Sequence, residues 1–290
     1  MKLAVDAYLH TDLNRKLREL EELLNSDVIF YTGNISEAYI KVFRDFIEEL
    51  KTDVKKNEKL YIILRTYGGT AVAAEKMVNI VRHHYKEVNF IVPDFAMSAG
   101  TILSMSGDDI FMDYSSYLGP IDPQIQVGDQ FVPALGYLDK VNELIEKSKN
   151  GSLTDAEFVL LQNQDLAKLK SYEQARDLSI SLLEDWLVKF KFKNWEIHQT
   201  NPDKKGQLVT LEEKKVRAVE IASQLSDNKL WNSHGRGIGI KKLIKILKLK
   251  IEDLGDKPEL HQKVRNYNDL ICDYVDKQGS GIYLHSRTFI

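Results

Sequence analysis

The chain has 290 residues, which is enough for one large domain or two modest ones with a sizeable buried core. Apolar residues make up 43% of it and charged residues 29%, with only 6 prolines, and this composition excludes long disorder. The 40 basic and 43 acidic residues leave a formal charge of −3, so no bulk positive field attracts nucleic acid or an anionic membrane. We therefore expect no nucleic-acid partner.

The single cysteine, Cys272, excludes an internal disulfide and a cysteine-based zinc site, so we expect no metal and a reducing, cytoplasmic location. No segment approaches the roughly 18 apolar residues of a membrane span. The first residues carry charges throughout, which is not typical of a secretory signal. They predict an amphipathic helix, and we interpret residues 1–27 as an N-terminal helical arm.

Short apolar runs then alternate with longer helical ones, the pattern of parallel β-α-β units. The runs predict strands at residues 28–31, 60–64, 88–92 and 109–112, and helices at residues 36–50, 71–83 and 98–106. The sequence therefore predicts an α/β core over residues 28–133.

Residues 134–290 form a mostly helical C-terminal part. Pro133 can occupy the first turn of a helix that continues to about Lys149. Thr154/Glu157 and Thr210/Glu213 have the spacing of capping boxes at two further helix starts. Residues 240–250 form a basic amphipathic run, which could contact membrane or nucleic acid. We interpret it instead as a helix that docks through Ile and Leu and exposes its lysines.

Two loops at the predicted carboxyl ends of neighbouring strands contain candidate catalytic groups. Gly68 and Gly69 follow the second strand and can turn sharply, exposing N–H groups that would hold an oxyanion. Ser98 follows the third strand near a helix N-terminus, which favours a developing negative charge. Taken alone, each has an ordinary explanation, a tight turn or close helix packing. Together they supply an oxyanion site and a nucleophile for acyl transfer.

A serine nucleophile also needs a base to take its proton, and the loops after the predicted strands do not supply an obvious one. None of the seven histidines follows the next strand end, where residues 116–123 lie, so the order does not indicate a Ser-His-Asp triad. A lysine can replace histidine when burial lowers its pKa from ~10.4 towards neutrality. Lys140 and Lys147 both lie at the edge of the apolar stripe of their helix. Periodicity does not choose between them, and a solvated lysine is the ordinary alternative for each.

Residues 60–84 and 88–124 together resemble the ClpP/crotonase fold in its serine-protease branch. More narrowly, they resemble the serine dehydrogenase proteinase family, which is related to signal peptide peptidase A and NfeD-type proteases. The resemblance implies an α/β fold of repeated ββα and βα units with a mostly helical C-terminal part. It assigns the nucleophile to Ser98 and the oxyanion donors to Gly68, Gly69 and Ala99.

The resemblance also implies a base. ClpP itself has a histidine shortly after the next strand, where this chain has Leu118-Gly119-Pro120. The signal-peptide-peptidase and NfeD branch uses a Ser/Lys dyad instead, and its lysine corresponds to Lys140. Lys147 and His234 remain alternatives. His234 lies in a Trp231–Arg236 segment that is also similar to the family, and it could act only if the C-terminal part folds back over the Ser98 cleft. A structural histidine is the plainer interpretation.

The implied activity is serine endopeptidase chemistry through an acyl-enzyme, with no cofactor. Asp122 and Glu75 are candidate orienting carboxylates near the cleft. The expected partners are a peptide or protein substrate and further copies of the chain in a homo-oligomer. Two alternatives stay open, a crotonase-type acyl-CoA enzyme and a catalytically inactive oligomeric scaffold of the same fold.

Overall fold

The computed structural model describes residues 4–52, 57–127, 130–199, 201–231, 233–279 and 281–288. Its centre is a six-stranded sheet in the order β10-β5-β3-β2-β1-β11, in which β11 is antiparallel to β1 and the other pairs are parallel. The strands of the protein are β1 (Asp27–Gly33), β2 (Lys59–Arg65), β3 (Glu87–Val92), β4 (Phe95–Ala96), β5 (Ile110–Met112), β6 (Tyr117–Leu118), β7 (Gln124–Val127), β8 (Gln130–Pro133), β9 (Ile238–Gly239), β10 (Glu252–Asp253) and β11 (Ile282–His285).

Helices cover both faces of this sheet. They are α1 (Ala4–Leu24), α2 (Ile40–Thr52), α3 (Ala71–His84), α4 (Ala99–Met105), α5 (Ala134–Lys149), α6 (Asp155–Gln162), α7 (Leu166–Trp186), α8 (Leu211–Ser226), α9 (Asn228–Trp231), α10 (Ile240–Lys245) and α11 (Pro258–Gln278), with a π-helical turn at Leu187–Lys191. The prediction of an α/β fold with a mostly helical C-terminal part is confirmed.

Alternate residues of the central strands point to two different cores, as the two-residue period of a strand requires. Ile29 and Tyr31 face the larger core, which α2, α3, α4, α7 and α8 cover. Val28 and Phe30 face the smaller one, which α1 and α11 cover. Because both faces are buried, the strands are continuous apolar runs, and this is why they were predictable from the sequence.

Two smaller sheets lie beyond the carboxyl ends of the central strands. β4, β6 and β9 form one of them, and β7 and β8 form a hairpin. Thr66, just after β2, bridges Ala96 of β4, so the loop after β2 is tied to the strand that precedes α4. The smaller sheets therefore fix the positions of the two candidate catalytic loops.

The C-terminal part contains features that the sequence analysis did not predict. It contributes β9, β10 and β11, and the last two pair with opposite edges of the central sheet. Within 240–250 the helix has only six residues, and the chain turns at Lys248, whose φ is +45°. Ile240 and Leu243 are buried while Lys241 and Lys245 are exposed, so the expected docking face is present on a shorter helix. Both predicted capping boxes are formed.

Candidate active site

Ser98 occupies a strained turn between β4 and α4. Its φ of +51° and ψ of −116° lie in a region that side-chain-bearing residues rarely adopt. The half-buried Ser98 precedes a helix whose seven residues are all buried. A Cβ on Gly100 would lie 2.4 Å from Thr66 Cγ2, so only glycine lets this helix approach the loop after β2. The turn therefore presents the hydroxyl-bearing side chain at the N-terminus of a helix fixed by packing.

The glycine loop lies directly against this turn. Gly68 and Gly69 have φ values of +110° and +150°, which require glycine. A Cβ on Gly68 would lie 2.9 Å from Ser98 Cβ and 3.3 Å from the nitrogen of Ala99. The two loops are neighbours, as expected for successive strands of a parallel sheet.

The backbone N–H groups of these loops are not equivalent. The N–H of Gly68 donates to Thr66 Oγ1 at 3.0 Å, and that hydroxyl donates to the carbonyl oxygen of Gly33 at 2.6 Å. Within the described part of the chain, the N–H groups of Gly69 and Ala99 have no acceptor. Of the three predicted oxyanion donors, these two are free to bind a ligand oxygen.

Both loops open into one large cavity of about 1120 Å³. Ser98, Gly68 and Gly69 form part of its wall, Ile102 and Ile121 supply buried apolar surface, and α7 and α11 close its sides. His234 lines the same cavity, so the C-terminal part does fold back over the Ser98 cleft. Asn232, in the same sequence segment, lies outside the described residues.

The histidine that lines this cavity is bonded to a buried carboxylate. His234 Nδ1 lies 2.8 Å from Oδ1 of Asp122, which is 0% exposed. The other carboxylate oxygen accepts from Gln124 Nε2 at 3.0 Å. A carboxylate on Nδ1 favours the tautomer that carries its proton there, leaving Nε2 as an acceptor. The pair therefore has the chemistry of an oriented general base.

The predicted lysines lie elsewhere on α5. The Lys140 side chain is 57% exposed, its Nζ lies 3.0 Å from Glu143 Oε1, and it is not part of the cavity wall. Lys147 bonds Glu157 at 2.7 Å, and hydrogen bonds to Glu157 and Glu143 raise the pKa of Lys147. Neither amine is desolvated in the way that a neutral lysine base requires. Glu75 is half-buried on α3 and likewise outside the cavity wall.

A second histidine–carboxylate pair lies in a smaller pocket of about 300 Å³. His261 Nε2 is 3.0 Å from Asp113 Oδ2, which Arg265 also contacts, and Ser115 is part of the same pocket. Burial raises the pKa of Asp113, but hydrogen bonds from His261, the Tyr114 N–H and Arg265 outweigh it and hold the pKa below its usual range. The Asp113 carboxylate is thus already bonded within a structural ion-pair cluster.

The described segments contain no three His, Cys, Asp or Glu side chains close enough together to hold a metal ion. In the same segments no helix is long and apolar enough to cross a membrane. Cys272 is buried, and burial raises the pKa of its thiol to about 12. A cytoplasmic location stays a prediction.

The parallel sheet, the glycine loop and the strained serine turn together form a candidate active site. The family of ClpP-like SDH-type serine proteinases matches residues 15–228, and the chain belongs to this family. The match spans the Ser98 turn, the glycine loop, Asp122 and α5.

Two relatives in Methanocaldococcus jannaschii are similar over about half of this chain. The uncharacterized protein MJ0137 is 32% identical over 180 residues, which are 58% of this chain and 58% of that protein. The uncharacterized protein MJ1495 is 30% identical over 156 residues, which are 54% of this chain and 46% of that protein.

Two solved structures are also similar. An alanine mutant of the 1510-N membrane-bound stomatin-specific protease has a TM-score of 0.45 at 15% identity, over 82% of this chain and 84% of that chain. A second alanine mutant of that protease, in complex with a substrate peptide, has a TM-score of 0.45 at 14% identity, over 78% and 75% of the two chains.

Proposed function

We propose that this protein is a serine endopeptidase in which Ser98 is the nucleophile. The observation that carries the proposal is the position of Ser98, in a strained positive-φ turn at a helix N-terminus, in a cavity with two free N–H groups. The Ser98 hydroxyl attacks the peptide carbonyl, forming a C–O bond. The amine leaves with a proton, and water then hydrolyses the acyl-enzyme.

The oxyanion is held by the N–H groups of Gly69 and Ala99. The Ala99 N–H belongs to the first residue of α4, where the helix dipole adds to the stabilisation of negative charge. Gly68 has a supporting role, because its own N–H is bonded to Thr66 and its missing side chain leaves room for Ser98.

We assign the base to His234, oriented by Asp122. The imidazole accepts the Ser98 proton at Nε2 and returns it to the leaving amine, while the buried carboxylate stabilises the imidazolium. The Ser/Lys dyad implied by the family resemblance, with Lys140 as base, is the second candidate. Its support is the position of Lys140 in the sequence, whereas its exposed ion pair with Glu143 argues against it.

A fluorophosphonate probe tests the nucleophile and separates the activity classes. We expect the probe to modify the wild-type protein at Ser98, detected by mass spectrometry of the labelled peptide. Binding of an acyl-CoA without labelling would favour the crotonase-type alternative. If the probe does not label the protein and acyl-CoA does not bind, an inactive scaffold is favoured.

We also propose that the protein is a homo-oligomer. Consecutive apolar residues of α6, Phe158, Val159 and Leu160, are exposed, and no described residue of that helix is buried. Such a surface is stabilised when another chain covers it. Light scattering at micromolar concentration tests this, because a mass of 33.3 kDa at full activity would show that assembly is not required.

A further inference from the structure

An aromatic ledge lies at the rim of the Ser98 cavity. Tyr67 directly precedes the glycine loop, and Phe95 lies three positions before the nucleophile; both line the cavity. Tyr67 is 79% exposed, which is unusual for a large ring at a fixed position beside a site. One ring therefore belongs to each catalytic loop.

Three aromatic rings contact one another in a row, and the outer ring, that of Tyr67, is exposed. The Tyr67 and Phe95 centroids are 4.5 Å apart at an interplanar angle of 42°, and Phe95 stacks on Tyr117 at 5.8 Å and 17°. Phe95 thus has two ring neighbours, while Tyr67 has one and is mostly exposed. An aromatic ring from a bound molecule could stack on the exposed Tyr67 ring and extend this row.

The charges beside the ledge are already paired. The Arg65 guanidinium lies 5.7 Å from the Phe95 ring centroid and makes two hydrogen bonds to Asp276, at 2.8 and 2.9 Å. The two charges of this bidentate pair compensate each other, so neither is left to attract an acidic or basic side chain. The ledge therefore presents a neutral aromatic surface.

We propose that Tyr67 and Phe95 form a specificity subsite that binds an aromatic side chain of the substrate, close to the bond being cleaved. The inference rests on the proposed function and adds the substrate class. Stacking on Tyr67 would hold the peptide beside the glycine loop, so the subsite acts on substrate binding more than on the chemical step.

The test uses quenched fluorescent peptides that differ at one position, Phe or Ala, with that position scanned across the cleavage site. We expect the wild type to prefer Phe about fivefold at one position, through a lower KM. Tyr67→Ala should abolish this preference and Tyr67→Phe should restore it. Tyr114→Ala is the matched control, because Tyr114 is 75% exposed but lies in the other pocket.

Fluorophosphonate labelling separates the two proposals. An unlabelled wild type overturns the proposed function, and the subsite with it. A labelled Tyr67→Ala protein that keeps the full Phe preference overturns the subsite alone. A preference for Lys or Arg in place of Phe, lost in Tyr67→Ala, would also overturn it, because the ledge would then select cations. The melting curve of each variant identifies those that fail to fold.

Discussion

Two pockets of this protein each bring together a serine, a histidine and an aspartate. Ser98 and His234 line the large cavity, and Asp122 bonds His234. Ser115, His261 and Asp113 line the smaller pocket. By residue type alone the two sets are the same. The differences between them lie in the backbone and in the partners of the carboxylate.

The carboxylates are used differently. Asp113 is shared by His261, Arg265 and a backbone N–H, so its charge is already compensated. Asp122 accepts from His234 and from the neutral amide of Gln124, so its charge is available to an imidazolium. The two pairs therefore differ in how many donors share the carboxylate.

The serines also differ in their backbone. Among the described non-glycine residues, positive φ occurs at Asn25, Ser98 and Lys248, and Ser115 is not among them. The glycine loop contacts the Ser98 turn. The strained turn and the free N–H groups, more than the three side-chain types, therefore distinguish the candidate active site from the structural cluster.

The largest difference should come from the two serines. Ser98→Ala is expected to lower cleavage of fluorescein-labelled casein by about 10⁴-fold or more, because the variant lacks the hydroxyl that would form the acyl-enzyme. Ser115→Ala should stay within about twofold of the wild type. If both variants retain activity, or if Ser115→Ala is the inactive one, the assignment of the site is wrong.

The two histidines should give the next largest difference. His234→Ala should lower kcat about 10³-fold through loss of the base, while His261→Ala should leave kcat nearly unchanged. Lys140→Ala decides between the base candidates in the same casein assay. If Lys140→Ala loses casein-cleaving activity and His234→Ala retains it, the Ser/Lys dyad is supported and our assignment is contradicted.

The carboxylates should give a smaller effect. Asp122→Asn keeps the side-chain shape but removes the charge that stabilises the imidazolium, so we expect kcat to fall about 10²-fold with little change in KM. Asp113→Asn, the matched control, should lower the melting temperature and leave kcat nearly unchanged. Equal losses of kcat in the two variants would mean that Asp122 has no special role.

A third histidine, His285, has no carboxylate partner among the described residues, and it should affect stability rather than activity. His285 accepts from the Tyr267 hydroxyl at 2.7 Å and donates to Asn14 Oδ1 at 2.9 Å, an arrangement that only the neutral ring can make. Burial, with a smaller repulsion from His10, lowers the pKa of His285 to about 4.

The unfolded chain takes up this proton near pH 6.5, whereas the folded protein takes it up only near pH 4. The free energy of unfolding should therefore fall by about 3 kcal/mol as the pH drops through this window. Urea denaturation at several pH values measures it. In His285→Gln this part of the pH dependence should be absent, and an unchanged slope would contradict the prediction.

Much of the fold was predictable because its determinants are local. The buried strands are apolar runs, the helix starts at Thr154 and Thr210 have capping boxes, and the two catalytic loops follow successive strands. Strands β10 and β11 were not predictable, since they are short and their partners are distant in sequence.

The nucleophile and the glycine loop could be proposed from the sequence, but the partner of Ser98 could not be chosen. Asp122 and His234 are 112 positions apart, and no periodic pattern links them. The resemblance favoured Lys140, while the signal for His234 was its place in a segment similar to the family. The free N–H of Gly69, as against the bonded one of Gly68, depends on a threonine hydroxyl whose direction no pattern gives.

The pairing of β1 with β11, and the packing of α1 against α11, has a consequence for biosynthesis. The ribosome adds roughly 5–20 residues per second. Therefore β1 and the buried leucines of α1 are synthesised long before their partners, β11 and α11. Asp276 and Gly281, which complete the wall of the cavity, are also made late. The nascent chain thus carries Ser98 well before all the residues that line its cavity have been made.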